Sequence, residues 1–205
     1  MVRTDSKTST NGTKMLPERE IGQEEAWVLA SQKGDQLAFN RLVLKWEHRV
    51  FNLVLRMLND PEEAAETTQE IFLAVYKSIR RFRRQSSFST WIYRIAVNHS
   101  ISRLRRRPPV HYSIDDEPFV QTHAKFSVSG GQETDVLRLE RSSRIRESLS
   151  RLSSEQRAVI ELKVYQEETF ESIADILGLP ASTVKSRFYS GLGILKGRLR
   201  HLLED

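Results

Sequence analysis

Residues 169–188 read TFESIADILGLPASTVKSRF, and their spacing predicts two short helices that meet at a tight turn. Gly178 stands where a helix that ends in a left-handed residue needs glycine, and Pro180 suits the first turn of the next helix. Ala174 is small at the position where the two helices would cross closely. Apolar side chains recur at the spacing of a shared seam: Ile173, Leu177, Leu179 and Val184. The stretch therefore predicts a helix-turn-helix.

The second of these helices carries polar and basic side chains on the face away from the seam. Arginine and lysine can hydrogen-bond guanine edges in a major groove, and serine and threonine can bind bases or phosphates. An ordinary helical hairpin with a basic surface is the alternative, and the complete spacing makes it the weaker one. The residues expected to face DNA are Ser182, Thr183, Lys185, Ser186, Arg187 and Tyr189.

Helical periodicity covers most of the remaining chain, so the predicted fold is all-α, with two helical domains joined by a flexible linker. Pro108-Pro109 stops the last helix of the first domain. Residues 108–134 carry no sustained period, which is unusual inside one compact domain. The predicted units are a disordered tail over residues 1–20, a four-helix domain over 21–107, a linker over 108–134 and a C-terminal domain over 135–205.

Capping residues predict the helix boundaries. The first helix is expected over residues 24–33, and Asp60 with Pro61 predicts a fresh helix start. A helix over residues 135–151 is expected to open the second domain. Ser153 and Gln156 predict a capping box for a helix that runs to residue 165, and Thr169 caps the next one. The last helix is expected to bury Val184, Phe188, Leu192, Leu195 and Leu199.

The net charge of +5 comes from 32 basic and 27 acidic residues, and these charges are sorted along the chain. Residues 60–70 hold five acids and no base, whereas residues 71–107 hold ten bases and no acid. Residues 108–137 hold five acids and one base, and residues 181–203 hold five bases and no acid. A solvated helix face explains any single run. Two separate basic blocks suggest two contacts with one long polyanion, and nucleic acid is the expected one.

Composition and motifs exclude several classes of protein. The chain has no cysteine, so it holds no disulfide and no thiolate metal site. No stretch reaches the roughly 18 apolar residues of a membrane span, and the polar N-terminus lacks a secretory signal, so a cytoplasmic protein without membrane insertion is expected. The five histidines are scattered, and no phosphate loop or nucleophile motif occurs. We therefore expect no catalytic residue, metal or cofactor, and an enzyme is the least favoured class.

A second candidate binding segment, FSTWIYRIAVN, lies at residues 88–98 and is followed by RLRRR at 103–107. Aromatic rings among cations suit an opening duplex, because rings stack on unpaired bases and cations bind phosphates. Core packing is the favoured alternative for Trp91 alone, whereas Tyr93 is expected to be exposed.

Four motifs in this order resemble the bacterial extracytoplasmic-function (ECF) sigma factors, group 4 of the sigma-70 family, and above all their sigma-E-like branch. They are KGD at 33–35 with AF at 38–39, DPEEAAETTQEIF at 60–72, FSTWIYRIAVN at 88–98, and the helix-turn-helix. The likeness runs from residue 24 to residue 205, which is nearly the whole chain.

The resemblance implies a protein that binds core RNA polymerase and starts transcription of a stress or envelope regulon. Its acidic helix would dock on the clamp helices of the polymerase β′ subunit. An acidic face that meets a basic surface is a physical reason for such docking, and favourable electrostatics at the helix start is the alternative for part of these acids. The residues implied in core binding are Asp60, Glu63, Glu66, Gln69, Glu70 and Phe72.

The resemblance also implies two sites on promoter DNA. A base flipped out of the −10 element needs a tight pocket with cations nearby, because flipping costs stacking energy. The residues implied at the −10 element are Arg80, Arg83, Arg84, Gln85, Ser86, Ser87, Phe88, Trp91, Arg94 and Asn98. Those implied at the −35 element are Ser182, Thr183, Lys185, Ser186, Arg187, Phe188, Tyr189 and Ser190.

Further implied partners are the polymerase β flap and an anti-sigma factor, and the acidic linker would thread the RNA channel of the polymerase. On this interpretation each charged segment faces a different partner. The chain departs from the family at Ser190-Gly191-Leu192, where Arg-Ala-Arg is frequent, and at Arg84-Gln85-Ser86, where the family often has Gly and Asp. Gly191 and Gly193 lie inside the last helix and are expected to loosen it.

Two other classes stay open from the residues alone. A conventional helix-turn-helix regulator would bind its operator without polymerase, but it leaves the acidic helix and the aromatic-basic segment unexplained. An RNA-binding adaptor would bind single strands without reading a duplex.

Overall fold

The computed structural model of the chain describes residues 18–107, 148–149 and 151–199, and within these ranges every regular element is helical. The N-terminal unit holds α1 (Glu18–Gln32), α2 (Gln36–Leu58), α3 (Pro61–Ser78), a 3-10 turn (Ile79–Arg81) and α4 (Phe88–Arg106). The C-terminal unit holds α5 (Ser154–Ile160), a π-helical turn (Glu161–Tyr165), α6 (Phe170–Leu177) and α7 (Ala181–Leu199). The all-α prediction is confirmed.

Side-chain caps begin two of these helices where the sequence predicts them. Asp60 accepts the backbone N–H of Glu63 at 2.9 Å, and Pro61 is the first residue of α3. Ser153 and Gln156 form a reciprocal capping box at the start of α5. Each cap satisfies backbone N–H groups that have no partner inside the helix, and this fixes where the helix begins.

Trp46 of α2 lies at the centre of the N-terminal core. Its ring meets Phe88 and Tyr93 of α4 edge to face, with centroids 5.9 Å and 5.5 Å away. The indole N–H donates to the Glu24 carboxylate of α1 at 2.7 Å. A single buried aromatic residue therefore joins three helices, and its one polar atom is satisfied.

The two units pack against each other, and one apolar core runs through both of them. α4 lies against α6, while α5 and the π-helical turn lie against α2. Ile173 and Val184 of the C-terminal unit belong to the same buried cluster as Ile92 and Val97 of α4. This contact joins residues far apart in the sequence, so local patterns carry no signal for it.

Four sequence predictions differ from the structure. α1 begins at Glu18 instead of residue 24, so residues 18–20 are helical and are not part of a tail. The helix expected over residues 153–165 becomes π-helical from Glu161. Tyr93 is only 3% exposed, because it packs on Trp46. Leu192 is 37% exposed and is not a buried residue of α7.

Several predictions fall outside the described residues. They concern residues 1–17 of the tail, the linker over residues 108–134, nearly all of the helix expected over residues 135–151, and the side chain of Leu199.

Candidate nucleic-acid interface

The helix-turn-helix forms as its spacing predicts. Thr169 caps α6 by accepting the N–H of Ser172 at 3.0 Å, and Gly178 ends it with φ 65°, a left-handed conformation that suits glycine. Ile173 and Val184 are fully buried between α6 and α7. Ile176, which the sequence did not single out, is buried beside them. These contacts fix the crossing of the two helices and hence the direction of the outer face of α7.

The outer face of α7 presents most of the side chains predicted to read DNA. Ser182, Lys185, Ser186 and Tyr189 are exposed, and Thr183 and Arg187 are half-buried. Phe188 instead packs on Phe170, with ring centroids 5.4 Å apart, so it supports the helix from behind. Lys185 lies 4.0 Å from Glu171, at the limit of an ion pair.

The family departure at Ser190-Gly191 has a structural explanation. Gly191 is buried against α5, and a Cβ atom there would lie 2.8 Å from Cδ1 of Ile160. Ser190 accepts a hydrogen bond from the Gln156 side chain at 3.1 Å. Glycine therefore lets α7 approach α5 closely, which adds a packing role to the loosening expected of Gly191. Nothing lies within 4 Å of a Cβ built at Gly193, so no such contact requires glycine there.

The segment predicted to bind the −10 element has a rigid aromatic base and an exposed polar rim. Trp91 stacks on Phe82 with centroids 4.7 Å apart, and Phe88 is buried between them and Trp46. Ser87 begins α4 by accepting the N–H of Thr90 at 3.1 Å. The rim of exposed or half-exposed predicted residues consists of Arg80, Arg83, Arg84, Gln85, Ser86, Ser87, Arg94 and Asn98.

Arg94 is exposed, yet its guanidinium is held by the C-terminal unit. Its Nε donates to the Ile176 carbonyl at 3.2 Å, and a second nitrogen donates to the Asp175 carbonyl. Both carbonyls belong to the last turn of α6, where unpaired carbonyls and the helix dipole attract a cation. Arg94 therefore caps α6 in this arrangement instead of standing free for DNA.

An ion pair between half-buried Arg56 and buried Glu161 also joins the two units. Nε of Arg56 in α2 lies 2.9 Å and 2.8 Å from the two carboxylate oxygens of Glu161, which is 3% exposed. Burial raises the pKa of Glu161, while the hydrogen bonds from Arg56 and Gln166 oppose that rise. Tyr93 donates to Gln166 at 2.7 Å, and burial raises the pKa of its phenol. These contacts could not be predicted from local sequence patterns, because the partners lie 105 and 73 residues apart.

The acidic helix α3 is paired with α4. Glu63 bonds Arg107, Glu66 bonds Arg103, and Glu70 lies 3.6 Å from Arg103. These two oppositely charged runs therefore partly neutralise each other within the chain. Glu70 and Gln69 stay exposed, Asp60 is engaged as the N-cap, and Phe72 packs partly against the core.

In the described part of the chain, no group of three His, Cys, Asp or Glu side chains could hold a metal ion. None of the described helices is long and apolar enough to cross a membrane.

Two family models match the chain in order. Sigma-70 region 2 matches residues 42–108, and Sigma-70 region 4 matches residues 142–193. The first covers most of α2 to α4, and the second covers α5, α6 and most of α7.

Curated relatives match nearly end to end. The RNA polymerase sigma-H factor of Pseudomonas aeruginosa is 30% identical over 89% of this chain and 97% of its own length. The ECF RNA polymerase sigma factor SigW of Bacillus subtilis is 35% identical over 83% of this chain and 94% of its own. The ECF RNA polymerase sigma-E factor of Escherichia coli K12 is 33% identical over 84% of this chain and 92% of its own length.

Two solved structures share the fold at 20% sequence identity. CnrH, solved in complex with the cytosolic domain of CnrY, covers 87% of this chain and 98% of its own with a TM-score of 0.66. The Bartonella quintana sigma factor RpoE, solved with the anti-sigma factor NepR, covers 79% of this chain and 96% of its own, with a TM-score of 0.61.

Proposed function

The chain belongs to the ECF branch of the sigma-70 family, and we propose that it directs core RNA polymerase to promoters by reading a −35 element with α7 and a −10 element beside α4. As a sigma factor it binds polymerase. The exposed outer face of α7, on a chain that also matches Sigma-70 region 2 over residues 42–108, is the observation that supports the finer proposal. A mechanism of recruitment and melting needs no bond chemistry from the chain itself.

At the −35 element, α7 is a recognition helix. Lys185 and Arg187 bind base edges or phosphates, and Ser182, Thr183, Ser186 and Tyr189 contact the same groove. Phe188 acts through its packing on Phe170, and Ser190 is held by Gln156 at the edge of the interface. This unit also lies against the β flap of the polymerase.

At the −10 element, the exposed rim defined above surrounds one flipped base. Trp91 and Phe88 are the rigid floor, because their rings are fixed by Phe82 and Trp46. The arginines at 80, 83 and 84 hold the phosphates around the open strand. Arg84 adopts φ 55°, so the rim includes a backbone conformation that arginine rarely takes.

Polymerase docking uses the exposed side of α3. Gln69 and Glu70 are solvent-accessible beside the half-buried Phe72, so this patch combines charge with an apolar contact. Glu63 and Glu66 lie on the same helix but are tied to α4, and Asp60 acts by starting the helix. Docking on the β′ clamp helices therefore centres on Glu70.

The proposed N-terminal unit begins with α1 at Glu18 and ends at residue 107. The other proposed boundaries follow the sequence, with a linker over residues 108–134 and a C-terminal unit over 135–205. An anti-sigma partner is part of the proposal, and the Bartonella quintana RpoE structure, solved with the anti-sigma factor NepR, supports it. The proposed location is the bacterial cytoplasm, and the proposed target is a stress or envelope regulon.

Run-off transcription tests the proposal. Core polymerase with and without the chain is given fragments of the genome that encodes it, and transcripts are mapped. The expected result is a small set of start sites that appear only with the chain and share −10 and −35 sequences. Transcripts identical to those of core polymerase alone on every fragment would contradict the function.

A further inference from the structure

The KGD motif at residues 33–35 has no part in the binding sites proposed above, although it is one of the four motifs behind the family resemblance. In the structure it forms the turn between α1 and α2. Gly34 takes φ 97°, and the N–H of Asp35 bonds the Ala30 carbonyl at 3.0 Å, a pattern in which a left-handed glycine ends a helix. Asp35 then caps the start of α2 through its side chain. The turn therefore fixes the position of Gln32, the last residue of α1.

Gln32 extends its side chain from the end of α1 to the segment that follows α3. Its amide nitrogen donates to the Ile79 carbonyl at 3.1 Å and to the Phe82 carbonyl at 2.7 Å, so both of its N–H groups are used. These two carbonyls lie at the two ends of the 3-10 turn, because Phe82 follows its last residue and donates its own N–H to the Ile79 carbonyl at 3.1 Å. We call this pair of hydrogen bonds the Gln32 bridge.

The exposed rim proposed to surround the flipped base begins directly after this turn. Within the described part of the chain, no backbone–backbone hydrogen bond involves residues 83–86, so their path is set from the two ends. At the far end, Ser87 caps α4. At the near end, the Phe82 ring stacks on Trp91, and Gln32 holds the Phe82 carbonyl from 50 positions away in the sequence.

The turn between α1 and α2 also lies against Arg80, one of the cations proposed to hold phosphates. A Cβ atom at Gly34 would lie 3.3 Å from a terminal nitrogen of Arg80, so glycine leaves room there for the guanidinium. α1 itself packs on the 3-10 turn that carries Arg80. The end of α1 therefore contacts both the backbone that leads into the rim and one of the rim's cations.

We propose that Gln32 is a positioning residue for −10 recognition, and that the Gln32 bridge holds the rim in the shape that accepts the flipped base. A loop that must be ordered on binding costs free energy, so a loop already fixed at both ends discriminates better between bases. In this role Gln32 acts through the backbone and needs no contact with DNA. The role at the −10 element rests on the proposed function, whereas the bridge itself does not.

Three variants separate the bridge from general damage. Gln32→Glu keeps the size of the side chain but places a carboxylate without N–H donors against two carbonyl oxygens. Gln32→Met removes the donors without adding charge and leaves the carbonyls unpaired. Gln23→Glu is the matched control, because it makes the same change at an exposed position of α1. Circular dichroism checks that each variant stays helical; if Gln32→Glu unfolds, Gln32→Met takes its place with the same expected direction.

Hydrogen exchange in the free chain tests the bridge without polymerase or DNA. The readout is the Phe82 amide, whose bond closes the 3-10 turn, and the Leu179 amide in the helix-turn-helix is the internal reference. Both Gln32 variants should speed exchange at Phe82 at least about threefold and leave Leu179 unchanged, because only the local opening becomes easier. Gln23→Glu should change neither amide. Equal exchange at Phe82 in the parent and in the Gln32 variants would overturn the bridge.

Sequence preference of the polymerase complex tests the role at the −10 element. A promoter fragment identified by run-off transcription competes with the same fragment carrying a scrambled −10 element, and separately with one carrying a scrambled −35 element. Gln32→Glu should reduce the preference for the intact −10 element at least about tenfold, and Gln32→Met at least about threefold. The preference for the intact −35 element should stay at the parent value in both variants and in Gln23→Glu.

The outcomes separate the positioning role from the proposed function. If the parent complex does not prefer the intact −10 element, the proposed function fails and the role of Gln32 in it fails too, while faster exchange at Phe82 would still support the bridge. If the parent is selective and the Gln32 variants are equally selective, the positioning role is wrong and the proposed function stands. A parallel loss of both preferences in the Gln32 variants would also contradict the positioning role, since it predicts a loss at one element only.

Discussion

α4 and α7 are both basic helices proposed to bind DNA, but they differ in how many of their cations are bonded within the chain. In α4 and at its C-cap, Arg94, Arg103 and Arg107 are bonded to α6 or to the acids of α3. In α7, Lys185 only approaches Glu171, and Lys196 forms no ion pair with any other described residue. The comparison teaches that the number of bases in a segment does not measure its availability to a polyanion.

The same contrast holds for burial. α4 is covered on one side by α2 and on another by α6, and Ile92 and Val97 are fully buried. α7 is fully buried only at Val184 and Gly191 among its described residues, Phe188 packs on Phe170, and the face with Lys185, Ser186 and Tyr189 is exposed. α4 is thus mainly a core helix with a polar rim, whereas α7 buries one side and exposes the other.

The largest expected effect concerns this difference in burial. Ile92→Ala should lower the free energy of unfolding by about 2–5 kcal/mol, because the site is sealed and leaves a cavity. Leu192→Ala on α7 should cost less than about 1 kcal/mol, since that side chain is already partly in water. Urea unfolding followed by circular dichroism measures both. Equal losses would show that α7 is as embedded as α4.

The next effect tests whether the acids of α3 still serve a partner although α4 engages them. Glu70→Lys should weaken binding to core polymerase about thirtyfold or more, which corresponds to about 2 kcal/mol. Glu62→Lys is the matched control, because Glu62 is an exposed acid on the same helix outside the docking patch. Fluorescence anisotropy with labelled chain measures both. Normal assembly by Glu70→Lys would place the docking patch elsewhere.

A comparable effect is expected on α7. Lys185→Ala and Arg187→Ala should each weaken binding of the polymerase complex to its −35 duplex by about 1–3 kcal/mol if they contact bases. Lys196→Ala should weaken binding to all duplexes alike, as loss of a phosphate contact does. Competition between promoter and scrambled −35 duplexes measures the difference. Undiminished sequence preference in both of the first two variants would remove them from the recognition set.

The smallest effect separates two glycines of α7. Gly193→Ala should stabilise the fold by up to about 1 kcal/mol, because alanine favours a helix and nothing is near the new methyl group. Gly191→Ala should lose that gain, because its methyl group meets Ile160. Thermal unfolding of the two variants side by side measures this. A clear gain in stability for Gly191→Ala would show that α7 and α5 leave room for a methyl group.

Local chemistry explains what the sequence could predict. Helix caps and turns depend on residues only a few positions apart, so the sequence predicts them. The examples are Asp60, Ser153, Thr169 and Gly178. The exposed face of α7 follows from the same helical period.

The features that the sequence could not predict depend on tertiary contacts between distant residues. Tyr93 is buried because Trp46 and Gln166 meet it, and neither neighbour is visible from the segment around it. Glu161, the first residue of the π-helical turn, is bonded by Arg56, which is 105 residues away. The pairing of α3 with α4 requires knowing that the two helices pack side by side. Only the family departure at Gly191 hinted at such a contact, as a glycine where a helix does not favour one.

Binding of promoter DNA with and without core polymerase tests whether the chain reads promoters only as part of the polymerase complex. The DNA is a fragment identified by run-off transcription, and the measurement is an affinity at fixed salt for the chain alone and for its complex with core polymerase. Tight, sequence-selective binding is expected only for the complex, because in the free chain Arg94 is bonded to the last turn of α6. Equally tight and selective binding by the chain alone would contradict it and would indicate a conventional helix-turn-helix regulator.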